Sequence, residues 1–174
     1  MMANKSNNKI KISLSRPDIT GKDKKTILGV LDTPYLSLGP KLKEFEEKIA
    51  KYVGTKYALA VSSGTAGLHL IVRAMGIKKV DEVITSPFSF ISSANCILYE
   101  NAKPVFVDIR PDTLGMDVDK VEDKITVRTK AILGVDVFAH PVEWDKLHSI
   151  ARKHNLMLIE DSAEALGSKY KGKK

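Results

Sequence analysis

Tyr57-Ala58-Leu59-Ala60-Val61-Ser62-Ser63-Gly64-Thr65 is an apolar run that closes in small hydroxyl residues and a glycine. It reads as a short strand leaving through a tight turn into a helix. Gly67, Leu70, Ile71, Ala74 and Met75 then follow at helical spacing, and Gly76 supplies a stop. The same alternation recurs downstream. Residues 82–86, 104–107, 131–135 and 156–160 are further short apolar runs, partly β-branched, and each predicts a strand. Helical stripes accompany them. Leu42, Phe45, Ile49 and Val53 are closed by Gly54, residues 92–101 suit a shorter helix, and Leu147, Ile150 and Ala151 follow Pro141, a residue suited to a first helical turn. Strands alternating with helices predict an α/β fold: a mostly parallel sheet with helices on both faces, three layers in all. No repeat, low-complexity linker or internal boundary interrupts residues 10–174, which read as part of one domain. The polar start, residues 1–9, reads as a disordered tail.

Composition removes several function classes. At 174 residues and 43% hydrophobic content, the chain can bury a core rather than remain disordered. The net charge is +7, yet aromatics are only 6% and lysines are scattered, so no nucleic-acid-binding module is read. The basic residues, including Lys169, Lys171, Lys173 and Lys174, read as a solvated surface whose field would draw a di-anionic substrate such as a nucleotide diphosphate. No apolar run is long enough to span a membrane. The single cysteine, Cys96, cannot form an internal disulfide and fits a reducing cytoplasm. His69, His140, His148 and His154 show no metal-ligand spacing, and no metal is expected.

In open α/β sheets, ligands gather at the carboxyl ends of the strands. The residues that follow the predicted strands should therefore converge: Ser62 to Thr65, Pro87 to Phe90, Asp108, Asp136 with His140, and Asp161. Free N–H groups at a helix start, with Gly64 and the Thr65 hydroxyl, suit a phosphate; the same residues equally suit a simple helix cap. Asp161 has two readings as well. With Glu164 it has the spacing of a capping box. Alternatively it holds a cofactor cation, an ion pair worth roughly 5 kcal/mol at ~3 Å and an effective dielectric of ~20, before desolvation. That is on the order of four pKa units, enough to keep a pyridine nitrogen protonated. Phe90 or Phe88 could lie flat on a planar ring or simply pack in the core. His140 could touch substrate or only shape its turn.

Taken in order, these segments resemble the DegT-type sugar aminotransferases, a branch of the fold type I pyridoxal 5'-phosphate (PLP) enzymes. The resemblance rests on Tyr35-Leu36-Ser37-Leu38-Gly39-Pro40 with Phe45-Glu46, Val61 to Ala66, Ser89-Phe90 through Asn95, Pro104 to Asp108, Val137 to Pro141 and Ile159 to Gly167. It implies that the chain is the N-terminal part of a PLP-binding large domain. Gly64 and Thr65 would bind the cofactor phosphate, Phe90 would stack on its ring, and Asp161 would hold the ring nitrogen. Glu164 would lie near the ring oxygen, where many relatives carry glutamine or histidine. Gly39, Pro40 and His140 are candidate substrate contacts. Ala139 stands where glycine is usual.

The implied reaction moves an amino group, typically from glutamate, to a nucleotide-linked keto-sugar for surface polysaccharide or related glycans, in a cytoplasmic homodimer. The family's Schiff-base lysine falls beyond the last residue here. No catalytic residue is therefore expected within the sequence, and the chain alone is not expected to transaminate. The rival reading is a non-catalytic phosphate- or nucleotide-binding module, with magnesium at Asp161.

Overall fold

The computed structural model describes residues 16–174, so the tail expected over residues 1–9 lies outside the described residues. The chain divides into two units, Met1–Phe45 and Glu46–Lys174. The first holds helix α1 (Gly21–Leu31), and the boundary falls inside α2 (Pro40–Val53). Helix α1 is not among the elements the sequence pattern predicts. Its apolar residues Ile27, Leu28 and Leu31 are all exposed, so no core-facing stripe announces it. Its start is nonetheless built from a capping box in which Thr20 and Asp23 bond each other's backbone N–H.

The second unit is the expected α/β architecture. In order come α3 (Gly64–Ala74), β1 (Glu82–Thr85), α4 (Ser92–Leu98), β2 (Lys103–Phe106), β3 (Thr129–Val135), α5 (Trp144–His154) and β4 (Met157–Asp161). The four strands form one parallel sheet ordered β2-β1-β3-β4. Both faces are covered, as sequential apolar residues require. Val83, Ala131, Leu133 and Ile159 pack on one face beneath α3 and α4, through Leu68, Val72, Cys96 and Ile97. Ile84 and Ile132 point the other way, onto Trp144 and Leu147 of α5.

Helix stops follow the predicted glycines. Gly54 and Gly76 both have positive φ, 82° and 72°, conformations that glycine adopts without penalty. Pro141 does not sit in the first turn of α5. That helix starts at Trp144, because the Val142 N–H is held instead by the buried Asp136 carboxylate at 2.9 Å.

Residues 57–61 form no strand among the described residues. Tyr57 and Leu59 are exposed, and the Ala60 N–H donates to Glu46 Oε1 at 2.8 Å rather than to a neighbouring strand. β-propensity alone does not make a strand; a partner ladder does.

Two packing details carry the layers. Gly134 lies under the Trp144 ring: a Cβ there would come within 2.7 Å of Trp144 Cη2 and 3.3 Å of Leu147 Cδ1. At the amino edge, the buried Glu82 carboxylate accepts from the Thr126 hydroxyl at 2.6 Å and from Arg128 Nη2 at 2.9 Å. The Thr126 hydrogen bond is the main influence holding the Glu82 carboxyl below its ordinary value of 4.5, against the upward push of burial, with Arg128 adding to it.

Gly134→Ala should destabilise the chain by about 1–3 kcal/mol in urea unfolding, the usual cost of overpacking. Glu82 is depressed in the fold, so its contribution is complete above about pH 4.5 and is lost as pH falls through the lower folded value. Glu82→Gln should accordingly cost about 2 kcal/mol at pH 7, and that difference should shrink on acidification below pH 4. A pH-independent difference would contradict this account.

Candidate active site

Helices α3 and α4 both run against the strands. α3 ends just before β1 enters at the amino edge, and α4 leaves the carboxyl end of β1 and returns to the start of β2. α3, with 11 residues and about 16 Å, spans a four-residue strand of about 13 Å, and the seven-residue α4, about 10 Å long, covers most of one. The starts of α3 and α4 therefore lie toward the carboxyl edge, where β4 ends in Asp161.

At the start of α3, Ser63 is the N-cap: its Oγ accepts from the Ala66 N–H at 3.1 Å. The cap thus occupies the third helical amide. The N–H groups of Gly64 and Thr65 have no intrahelical acceptor, and none meets them among the described residues. A Cβ built at Gly64 would meet nothing within 4 Å, so the side-chain position at Gly64 is open. Capping and anion binding, posed as alternatives by the sequence, are compatible because they use different amides.

Asp161 is 8% exposed and belongs to the sheet face that carries α3 and α4. Ser93 Oγ donates to its Oδ2 at 3.1 Å, and the Ala163 N–H donates to Oδ1 at 3.2 Å. A carboxylate has about four acceptor positions, so two remain. The capping-box reading does not hold, because no helix follows Asp161. Glu164 turns instead to the Phe138 N–H, at 2.9 Å.

The same face buries two further polar groups. Thr85 Oγ1 has no hydrogen-bond partner among the described residues, and the Cys96 thiol is pushed up to about 11 by burial and then by the Asp161 charge.

Phe88 and Phe90 separate cleanly. Phe88 is engaged edge-to-face with Phe138, at 6.1 Å between centroids, whereas Phe90 is 74% exposed. Phe90 is thus the ring free to stack.

Asp136, expected at this edge, serves the turn beyond β3. Its Oδ1 accepts from Val142 N–H and Trp144 Nε1, and its Oδ2 from Ser162 Oγ at 3.0 Å. Burial raises its carboxyl pKa, against the lowering effect of these hydrogen bonds. The bonds, with Glu164 on Phe138 and Ser168 Oγ on the Ala139 carbonyl at 2.9 Å, hold a strained turn. Phe138 and Ala139 both take left-handed φ, 50° and 64°, at a cost of roughly 1–2 kcal/mol each. A left-handed φ at position 139 is a conformation that glycine would adopt without penalty.

His140 is exposed and lies by a small cleft of about 250 Å³ that Arg110 and Thr113 also line. Gly39 and Pro40 belong to the first unit, and each has a local reason. A Cβ at Gly39 would fall 2.9 Å from Tyr35 Cβ and from the Tyr35 carbonyl oxygen, and Pro40 opens α2. A larger cleft, about 470 Å³, lies elsewhere. Tyr52, Asp136, Trp144 and Lys174 line it, and Gly64, Thr65, Phe90 and Asp161 do not.

Two of the terminal lysines are anchored rather than merely solvated. Lys171 pairs with Asp145, and Lys174 lies over the Tyr52 ring at 3.2 Å from its centroid. No group of three or more His, Cys, Asp or Glu among the described residues could hold a metal ion. No described helix is long and apolar enough to cross a membrane.

A parallel α/β sheet with helices on both faces is a fold that the chain shares with solved aminotransferases. The chain belongs to the DegT/DnrJ/EryC1/StrS aminotransferase family, which it matches over residues 17–174. GDP-perosamine synthase of Caulobacter vibrioides is 43% identical over 165 residues, covering 94% of this chain and 44% of that protein. Helicobacter pylori PseC, an aminotransferase involved in the biosynthesis of pseudoaminic acid, has a TM-score of 0.90 at 36% identity, covering 93% of this chain and 44% of that one. NtdA from Bacillus subtilis, solved with bound cofactor PMP, has a TM-score of 0.82 at 35% identity, covering 86% and 35%. The chain spans less than half the length of these relatives.

Because Cys96 is fully buried with a raised pKa, it should resist a disulfide reagent such as DTNB at pH 8 in the folded chain. Its labelling rate should match the rate of unfolding; rapid labelling without unfolding would show that the packing beside Asp161 is open.

Proposed function

We propose that the chain forms the cofactor-seating part of a PLP-dependent aminotransferase that acts on a nucleotide-linked keto-sugar, in amino-sugar biosynthesis for surface polysaccharide or related glycans. The observation that carries this reading is the Asp161 carboxylate, buried yet retaining acceptor positions, at the edge toward which the free amides of Gly64 and Thr65 also lie.

Bound PLP supplies an electron sink and a carrier for the amino group. The amides of Gly64 and Thr65, with the positive end of α3, hold the phosphate. The exposed Phe90 ring covers the flat face of the cofactor and excludes water from it. Asp161 keeps the ring nitrogen protonated by ion pairing in a desolvated place, which strengthens the electron sink. Glu164, fixed on the Phe138 amide, would lie near the ring oxygen of a bound cofactor. Its charge would repel a phenolate there, so its place is that of a turn-holding neighbour rather than a second anchor. His140, Gly39 and Pro40 are carried as substrate contacts.

The sugar-nucleotide substrate is supported by the relatives' names and by the net charge of +7, which attracts a di-anion. Glutamate as donor, a homodimer and a cytoplasmic location complete the reading. Exposed Leu59, Leu70, Ile71, Ile91 and Tyr99 support the dimer, since such residues favour burial by a second copy.

Titration with PLP, followed by cofactor absorbance and by quenching of the single tryptophan, tests the reading. Asp161→Ala should weaken binding on the order of 100-fold, the penalty of losing one partner of a desolvated pair. Phe90→Ala should weaken it roughly five-fold, and more than Phe88→Ala. Unchanged PLP affinity in Asp161→Ala would remove the aminotransferase reading.

A further inference from the structure

The geometry points to Ser93, backed by Ser89, as the residue that positions Asp161 for the cofactor's ring nitrogen. This inference rests on the Asp161 assignment just made and adds a role that neither sequence pattern nor family membership supplies.

Ser93 is 1% exposed, and its hydroxyl reaches Asp161 Oδ2 at 3.1 Å across 68 residues of sequence. Ser89 Oγ lies 2.7 Å behind it. An ionised carboxylate only accepts, and a serine has one proton to give. With Asp161 ionised the direction is therefore fixed: Ser89 donates to Ser93, and Ser93 donates to Asp161. Each bond polarises the next, so the pair is a stronger donor to the carboxylate than one isolated hydroxyl. Oδ1 is held by the Ala163 amide. The carboxylate plane is thus clamped from two elements, and its remaining acceptor positions have a fixed aim.

The same short segment carries the stacking ring. Phe90 lies between the two serines in sequence, and the Ser93 N–H donates to the Phe90 carbonyl at 3.1 Å. One turn at the start of α4 therefore sets both the ring that covers the cofactor and the hydroxyl that aims its counter-charge. A serine that merely satisfied a buried carboxylate would stabilise the fold without distinguishing one ligand from another. A positioning serine must act on the ring nitrogen.

The discriminating pair of probes is PLP and its 1-deaza analogue, in which a carbon replaces the ring nitrogen. Ser93→Ala should lower PLP affinity roughly ten-fold, the worth of a charge-assisted hydrogen bond, and change affinity for the deaza analogue by less than about two-fold. Ser93→Thr, which keeps the hydroxyl, should restore most of the PLP affinity. Ser89→Ala should act in the same sense with a smaller effect, and it carries the test if Ser93→Ala does not fold. An equal loss for both probes would show a purely structural serine and overturn the inference. The Asp161 assignment is checked separately. If Asp161→Asn weakens both probes equally, or if the wild-type chain binds neither, that assignment falls and the role of Ser93 falls with it. If Asp161→Asn weakens PLP more than the deaza analogue and Ser93→Ala does not, only the role of Ser93 is wrong.

Discussion

The pairing of β3 with β4 is the constraint on which the rest depends. Parallel register sets Val135 against Asp161, and the Asp136 N–H donates to the Asp161 carbonyl at 3.0 Å. That ladder brings two carboxylates to adjacent places at one sheet edge and sends them to opposite faces. Asp161 goes to the face of α3 and α4, where Ser93 meets it, and Asp136 goes toward α5, where Trp144 and Val142 meet it. Side-chain alternation along a strand thus decides which acid can serve a ligand and which serves the fold.

Asp136 shows how the fold supports the site without entering it. Its hydrogen bonds hold the turn in which Phe138 and Ala139 are strained, and that turn presents the Phe138 amide to Glu164 and the Phe138 ring to Phe88. With Phe88 engaged there, Phe90 is left exposed. The strain at Ala139 is offset by neighbours that are far apart in sequence but fixed by the same sheet.

The strands were legible because parallel strands buried on both faces read as continuous apolar runs. Val83-Ile84 and Ala131-Ile132-Leu133 are such runs, with each residue sent to one of two cores. Residues 57–61 have the same composition and no ladder, so local pattern could not tell them from a strand. α1 was illegible for the opposite reason: its apolar side chains are exposed, and only the Thr20 and Asp23 spacing marks its start. Of the candidate residues, Asp161 and Phe90 were singled out after predicted strands that form, Gly64 and Thr65 after one that does not, and all four by the resemblance. The clamp by Ser93 was not. Its spacing within its own segment carries no signal, because its partner lies 68 residues away. Glu164 misled for the same tertiary reason: it matched a capping box, and the fold gave it the Phe138 amide.

The central claim is that one cofactor lies between the α3 amides and the Asp161 carboxylate. A crystal structure of the chain grown with PLP tests it most directly. The account predicts the phosphate on the Gly64 and Thr65 N–H groups, the ring against Phe90, and the ring nitrogen within hydrogen-bond distance of Asp161. Ligand density in the cleft beside Trp144 and Tyr52, with Asp161 unchanged and untouched, would contradict it.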